Sequence, residues 1–326
     1  MNQEYPVCNI LVEKNGGQVS DYSFRRVDDY DKKLKQLYRP EKETTSFKAT
    51  AEYTPDGRSI GLIYKGESKS VIPGQYGSHQ ITAIAIPKAT ELKSVFSNNK
   101  TQIYDILLFY SFLTGRNTCL ADDMSMFIHK DKVGVDFSKQ PIVNLIEESL
   151  NEISKPEWQS GVRDKDILAF LFYLNAKDSN KLQIRYIQCF TCLDMYDTPK
   201  PPFKGKIFDS YSFPQEVAHF NKDNIVEAIR IIRNKYVHTG HCTLSEFSSE
   251  ILRAQSKATP SFKNLVSGFK QNDFDKFQCD CSYILDSYLY WVFCIIFGIA
   301  NKIDKTKADF KHYMGKELNN RLKQFQ

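Results

Sequence analysis

The feature that most constrains this chain is a change of hydrophobic period. Between residue 5 and about residue 90 apolar residues alternate and turn sequences intervene, whereas beyond residue 158 they recur every three or four positions and no stretch reads as a strand. Asn15-Gly16-Gly17 and Pro55-Asp56-Gly57 are turn sequences, and the second joins FKATAEYT to SIGLIYKG as a hairpin. ITAIAI, stopped by Pro87, is a further strand. The period then lengthens: Ile103, Leu107, Tyr110 and Leu113, with Ile106 and Phe109 beside them, predict a helix that Gly115 ends, and a second covers Ile142 to Ile153.

After Ser154-Lys155-Pro156-Glu157, which reads as a boundary, apolar-periodic stretches lie at Asp164–Lys177, Lys181–Tyr196, Asp223–Val237 and Cys279–Asn301. Pro199, Pro201, Pro202 and Pro214 break the chain between the second and third, and residues 245–256 and 260–270 add short helices. A length of 326 residues suits two domains. The expected fold class is α+β: an N-terminal β-rich domain over residues 1–157, followed by an all-α bundle over residues 158–326.

Composition excludes the extreme classes. With 41% hydrophobic and 25% charged residues the chain is neither fibrous nor wholly disordered. The net charge of +5 is mild, and Lys302, Lys305, Lys307, Lys311, Lys316, Arg321 and Lys323 concentrate it in the tail. The first residues, MNQEYPVCNILVEKNGG, carry neither a basic leader nor a long apolar run, so no signal peptide is expected. The longest apolar run, Tyr288 to Ala300, falls short of the ~20 residues of a bilayer span and reads as a core helix, so no membrane partner is expected. Eight cysteines without an export signal then predict reduced thiols in a cytoplasmic protein. Cys189-x-x-Cys192 and Cys279-x-Cys281, with Cys242 beside His241, have a superficial zinc spacing, but the first pair lies within an apolar helix and the second starts another, so the pairs read as core; Cys8, Cys119 and Cys294 read as isolated small hydrophobes. Tyr283, Tyr288, Tyr290 and Trp291 read as packing residues more than as platforms for bases. No metal and no cofactor is expected.

The sharpest local feature is IRIIRNKYVHTGH, Ile229 to His241, at the end of the third long helix of the bundle. Ile225, Ile229, Ile232 and Tyr236 fall on one stripe, the expected core face, while Arg230, Asn234 and His238 project from the opposite one. Arg233-Asn234 followed by His238 forms an R-N-x-x-x-H arrangement. Arg233 and His238 lie about 140° apart around an ideal helix, so one helix does not present both to one phosphate, whereas two helices paired across a two-fold axis would. The same residues also suit a plainer use, in which Arg and His near a helix C-terminus interact with its last carbonyls and dipole.

These residues resemble the Apea-like branch of the HEPN superfamily, helical bundles many of which are ribonucleases. The resemblance rests on Arg233-Asn234, His238, Thr239-Gly240 and the preceding helices, with Leu182–Tyr196 similar to the family's second helix. It covers about residues 158–300 and, more loosely, LLFYSFLTGRN at 107–117. Where relatives commonly carry Glu late in the second helix this chain has Asp194, a departure that leaves the carboxylate without an assigned role. What the resemblance implies is a metal-independent endoribonuclease of antiphage defence or abortive infection, acting as a homodimer with composite sites on structured RNA, tRNA being one possibility, and answering to a phage-derived trigger. His238 would move protons, Arg233 would hold the phosphorane oxygens and Asn234 would be a donor that orients the phosphate or the histidine. Arg230, Lys235 and His241 stand as further phosphate contacts. The alternative is a catalytically silent HEPN-type protein that binds nucleotide or RNA, or serves as an interaction surface.

Overall fold

A computed structural model describes residues 3–10, 12, 14–37, 44–53, 59–70, 80–114, 118–121, 140–179, 181–196, 211–212 and 221–305. The chain divides into two compact units, one formed chiefly by Met1–Val143 and the other by Asn144–Met314. The division falls inside a helix, so residues 144–157, given to the first domain on sequence grounds, pack with the second unit.

The first unit is built on an antiparallel sheet ordered β2-β3-β6-β1-β7, from β1 (Tyr5–Cys8), β2 (Gly17–Val19), β3 (Tyr22–Arg26), β6 (Ile81–Pro87) and β7 (Cys119–Leu120). Gly16, in the turn before β2, has φ +83°, and a Cβ there would stand 2.6 Å from the Phe24 carbonyl oxygen, so only glycine fits. The expected hairpin is present as β4 (Thr44–Tyr53) and β5 (Ser59–Ser70), antiparallel from Thr44↔Ser70 to Tyr53↔Ser59; its Pro55-Asp56-Gly57 turn lies outside the described residues. Helix α1 (Tyr30–Leu37) was not expected. Its sequence is largely polar, and among its described residues only Tyr30 is buried, its hydroxyl oxygen accepting from the Val12 amide at 3.0 Å.

Helix α2 (Gln102–Thr114) is the core element of this unit, with Ile103, Ile106, Leu107, Phe109, Tyr110, Phe112 and Leu113 all buried. It also buries Asp105, whose carboxylate accepts from the Val95 amide at 2.9 Å and from the Ser94 hydroxyl. Burial still pushes this carboxyl up to about 6, against the lowering pull of those bonds. The stop expected at Gly115 lies outside the described residues.

The second unit is helical, and no strand occurs among its described residues. After α3 (Gln140–Ile153) and the single turn α4 (Pro156–Gln159) come α5 (Asp164–Asp178), α6 (Leu182–Tyr196), α7 (Lys222–Thr239), α8 (Leu244–Leu252), α9 (Pro260–Ser267), α10 (Gln271–Ile296) and α11 (Ala300–Lys305). The four long helices of the expected bundle are α5, α6, α7 and α10, and α6 packs against the other three. Two aromatic clusters clamp α10. Near its start Phe274 and Phe277 meet Phe247 at 5.0 and 5.7 Å between ring centroids; near its end Phe293 and the following Phe297 meet Phe170 at 5.3 and 4.8 Å, and Trp158 stacks on Phe297 at 5.7 Å. Each pair adds about 0.5–1.5 kcal/mol beyond area burial. Tyr288 and Tyr290 are buried, as packing residues should be.

Helix α10 is longer than its apolar run suggested, because the polar segment from Gln271 to Asp280 continues it. At 26 residues it is long and apolar enough to cross a membrane by length and composition alone, and more than half of its most apolar window is buried inside the protein. That burial, with Gln278, Ser282 and Asp286 turned inward, fits a core helix.

Candidate functional site

Helix α7 carries every residue singled out from the sequence except His241, which follows it. It begins because Asn221 caps it, accepting from the amides of Asp223 at 2.9 Å and Asn224 at 3.4 Å. It lies down on the bundle through the expected stripe: Ile225, Ile229 and Ile232 are fully buried, and Tyr236 is 4% exposed with its ring edge-on to Tyr186 of α6 at 5.5 Å. It ends at Gly240, whose φ of +75° is the left-handed cap and whose amide donates to the Tyr236 carbonyl at 3.1 Å.

This packing turns Arg233 toward α6. Its guanidinium donates to Asp194 Oδ2 at 3.2 Å and to Asn234 Oδ1 at 3.0 Å, and lies 4.7 Å above the ring of the buried Phe190. Three groups therefore fix one guanidinium, two of them one turn apart on α6. Burial raises the Asp194 carboxyl, and the charge of Arg233 pulls it back down, so the two are electrostatically linked. Two of the five Arg N–H donors are used by these partners, and the side chain is still 31% exposed, so it can meet an oxyanion from solvent.

His238 is in the opposite condition. It is exposed, forms no hydrogen bond or ion pair with any described residue, and occupies the last turn of the helix. No hydrogen bond joins it to Arg233. The structure thus keeps the divergence expected from the 140° offset: one helix, an anchored guanidinium on one side and an open imidazole on another.

The remaining sequence candidates are held by other partners, Arg230 and Lys235 by carboxylates. Arg230 grips Glu227 through Nη2 at 2.8 Å and Nε at 3.1 Å; that glutamate is 5% exposed. Burial alone would raise the Glu227 carboxyl, but the Arg230 bonds and charge, helped by Lys257, hold it below its usual value. Lys235 is paired with Glu250 of α8 at 3.4 Å. The exposed His241 has Nδ1 2.9 Å from the Thr239 carbonyl, a local loop contact. Asn234 does not project freely as expected; it is half-buried, because its side-chain oxygen turns back to Arg233.

No family model, curated protein or solved structure matches this chain. The site therefore has to be judged on its own geometry. What that geometry offers is oxyanion recognition by Arg233 and proton transfer by an accessible imidazole, on one exposed end of α7.

Sequence reasoning missed Asp194, Phe190, Glu227 and Glu250 as partners. Glu227 was recoverable, since it stands three residues before Arg230 on a helix. Asp194 and Phe190 were not, because their pairing with Arg233 depends on how α6 and α7 pack. Of the cysteine pairs of the bundle, Cys189, Cys192 and Cys281 are core residues at most 1% exposed, with the Cys192 thiol donating to the Ala169 carbonyl at 3.4 Å, whereas Cys279, expected in the core, is half-buried. Among the described residues no group of three His, Cys, Asp or Glu side chains could hold a metal ion.

Proposed function

We propose that this protein is an endoribonuclease of the HEPN type, working without metal as an effector of antiphage defence or abortive infection in the cytoplasm. The observation that carries the reading is the contrast on α7: Arg233 is fixed by Asp194, Asn234 and Phe190 while His238, five residues on, stays open to solvent. A fixed guanidinium stabilises a phosphorane without reorganising, and an open imidazole reaches the ribose 2′-hydroxyl or the leaving 5′-oxygen. Since the two groups diverge, each site draws Arg233 from one protomer and His238 from its partner in a homodimer. Structured RNA, tRNA among the possibilities, is the substrate class, and a phage-derived component is the trigger.

The test is cleavage of structured RNA by the wild type, Arg233→Ala and His238→Ala, each checked for fold by circular dichroism. Cleavage should persist in EDTA and leave a 2′,3′-cyclic phosphate and a 5′-hydroxyl. Each substitution should lower the rate about 100-fold or more. A folded His238→Ala variant that keeps over a tenth of the activity defeats the assignment. The second reading, a silent binding protein, draws on a different fact: Arg230, Arg233 and Lys235 each have a carboxylate partner already. Under it, RNA is bound by wild type and His238→Ala alike and cut by neither.

A further inference from the structure

Cys8 and Cys119, taken separately, read as isolated small hydrophobes. The sheet brings them together. β1 and β7 pair antiparallel in the register Val7↔Leu120 and Cys8↔Cys119, so the two cysteines stand directly opposite each other across more than a hundred residues of chain. Residues opposite in an antiparallel pair have Cα atoms about 4.5–5.5 Å apart, inside the 4.4–6.8 Å range that a disulfide spans. The strand carrying Cys119 is held in place by its neighbour: the Thr118 amide donates to the Ser111 hydroxyl at 3.0 Å and the Thr118 hydroxyl to the Leu107 carbonyl at 3.0 Å, both on α2. On the other side, β1 is clasped by β6, with Val7 opposite Ala83.

The geometry points to Cys8 and Cys119 as a redox-sensitive dithiol that hydrogen peroxide converts to a cross-strand disulfide. Cys119 is half-buried and reachable, whereas Cys8 is fully buried, and this sets the order of events. The Cys119 sulfur attacks one peroxide oxygen, the O–O bond breaks, and the leaving hydroxide takes a proton to become water. Cys8 then attacks the resulting sulfenic sulfur, the S–O bond breaks, and a second water leaves as the S–S bond forms. Two thiols lose two protons and two electrons, and one peroxide is reduced to two waters.

The environment favours this pair over the others. A hydrogen bond with Cys119 lowers the Cys8 thiol, and Lys33 assists against the opposing effect of burial. In the bundle, burial moves the thiols the other way: Cys192 and Cys242 rise to about 12, and Cys189, Cys279 and Cys281 are raised as well. The bridge would tie the edge strand β7, and with it the end of α2, to its neighbour β1.

The test uses the full chain, reduced, exposed to hydrogen peroxide, quenched with N-ethylmaleimide in denaturant so that buried thiols also react, and digested without reductant for mass spectrometry. Wild type should yield a linked pair of peptides containing Cys8 and Cys119, while the bundle cysteines stay alkylatable. Cys119→Ser, at the half-buried position, should abolish the link, and Cys8→Ser should leave a sulfenic acid on Cys119 that dimedone traps. Should Cys8→Ser fail to fold, a dimedone time course on wild type gives the same reading, with Cys119 labelled before the bridge appears. Full alkylation of both thiols in oxidised wild type, or a bridge confined to other cysteines, overturns the proposal.

Discussion

Arg230 offers the sharpest separation between a structural and a ligand-binding role. Its sequence context offers it either as a phosphate contact or as a surface charge, and two of its three guanidinium nitrogens bond Glu227, whose side chain is 6% exposed against 51% for Arg230. Replacing Arg230 by Ala leaves a nearly buried carboxylate without its partner. Removing one member of a fully buried pair costs about 3–5 kcal/mol, and an exposed pair contributes only about 0.2–1. With the guanidinium half in solvent, the expected loss is between those limits, about 1–2 kcal/mol. The sign with pH follows from Glu227. Its folded pKa is depressed, so the pair's contribution is present above the ordinary glutamate value near 4.5 and disappears as pH falls through the lower folded value. Urea unfolding followed by circular dichroism should therefore show a deficit for Arg230→Ala at pH 7 that shrinks toward pH 3. Arg230→Ala combined with Glu227→Gln should recover much of the loss, because no buried charge is then unpaired. A fully stable Arg230→Ala protein with weakened RNA binding would refute the structural role.

Mixing Arg233→Ala with His238→Ala protomers should restore part of the cleavage activity if sites are composite; rates no higher than either variant alone would place both residues of a working site on one chain. Asp105 gives a second pH signature of opposite sign: its folded pKa of about 6 exceeds the ordinary 3.8, so its contribution is full below pH 4 and is lost as pH rises through 6. Relative to Asp105→Asn, wild type should lose up to about 3 kcal/mol across that window in urea titrations, and a constant gap would contradict the burial argument. Gly240→Ala meets no atom within 4 Å and should cost about 1–2 kcal/mol through its left-handed backbone alone, visible as a lowered thermal midpoint.

The parts of the fold written in local periodicity were legible. Ile225, Ile229, Ile232 and Tyr236 announce one face of a helix, and that face is the one buried. FKATAEYT and SIGLIYKG announce a hairpin for the same reason. Helix α1 was hidden because its eight residues give only two turns, too few for Tyr30, Leu34 and Leu37 to establish a period, and α10 was read short because Phe274 and Phe277 are the only apolar residues among Gln271–Gln278. For the site, the chemistry-bearing residues were visible and their restraints were not. Arg233 meets Asp194 across 39 residues, and Cys8 meets Cys119 across a sheet, and neither distance in sequence leaves a periodic trace.

The two aromatic clusters on α10 differ in when they can form. Phe274 and Phe277 find Phe247 within a short stretch of chain, so the start of α10 can close early. Trp158 and Phe170 must wait for Phe293 and Phe297, about 120–140 residues later. At synthesis rates of about 5–20 residues per second their apolar surface leaves the ribosome roughly 6–28 s before its partners are made. During that interval α5 is a natural client for a chaperone, and a chain terminated before residue 293 would remain one.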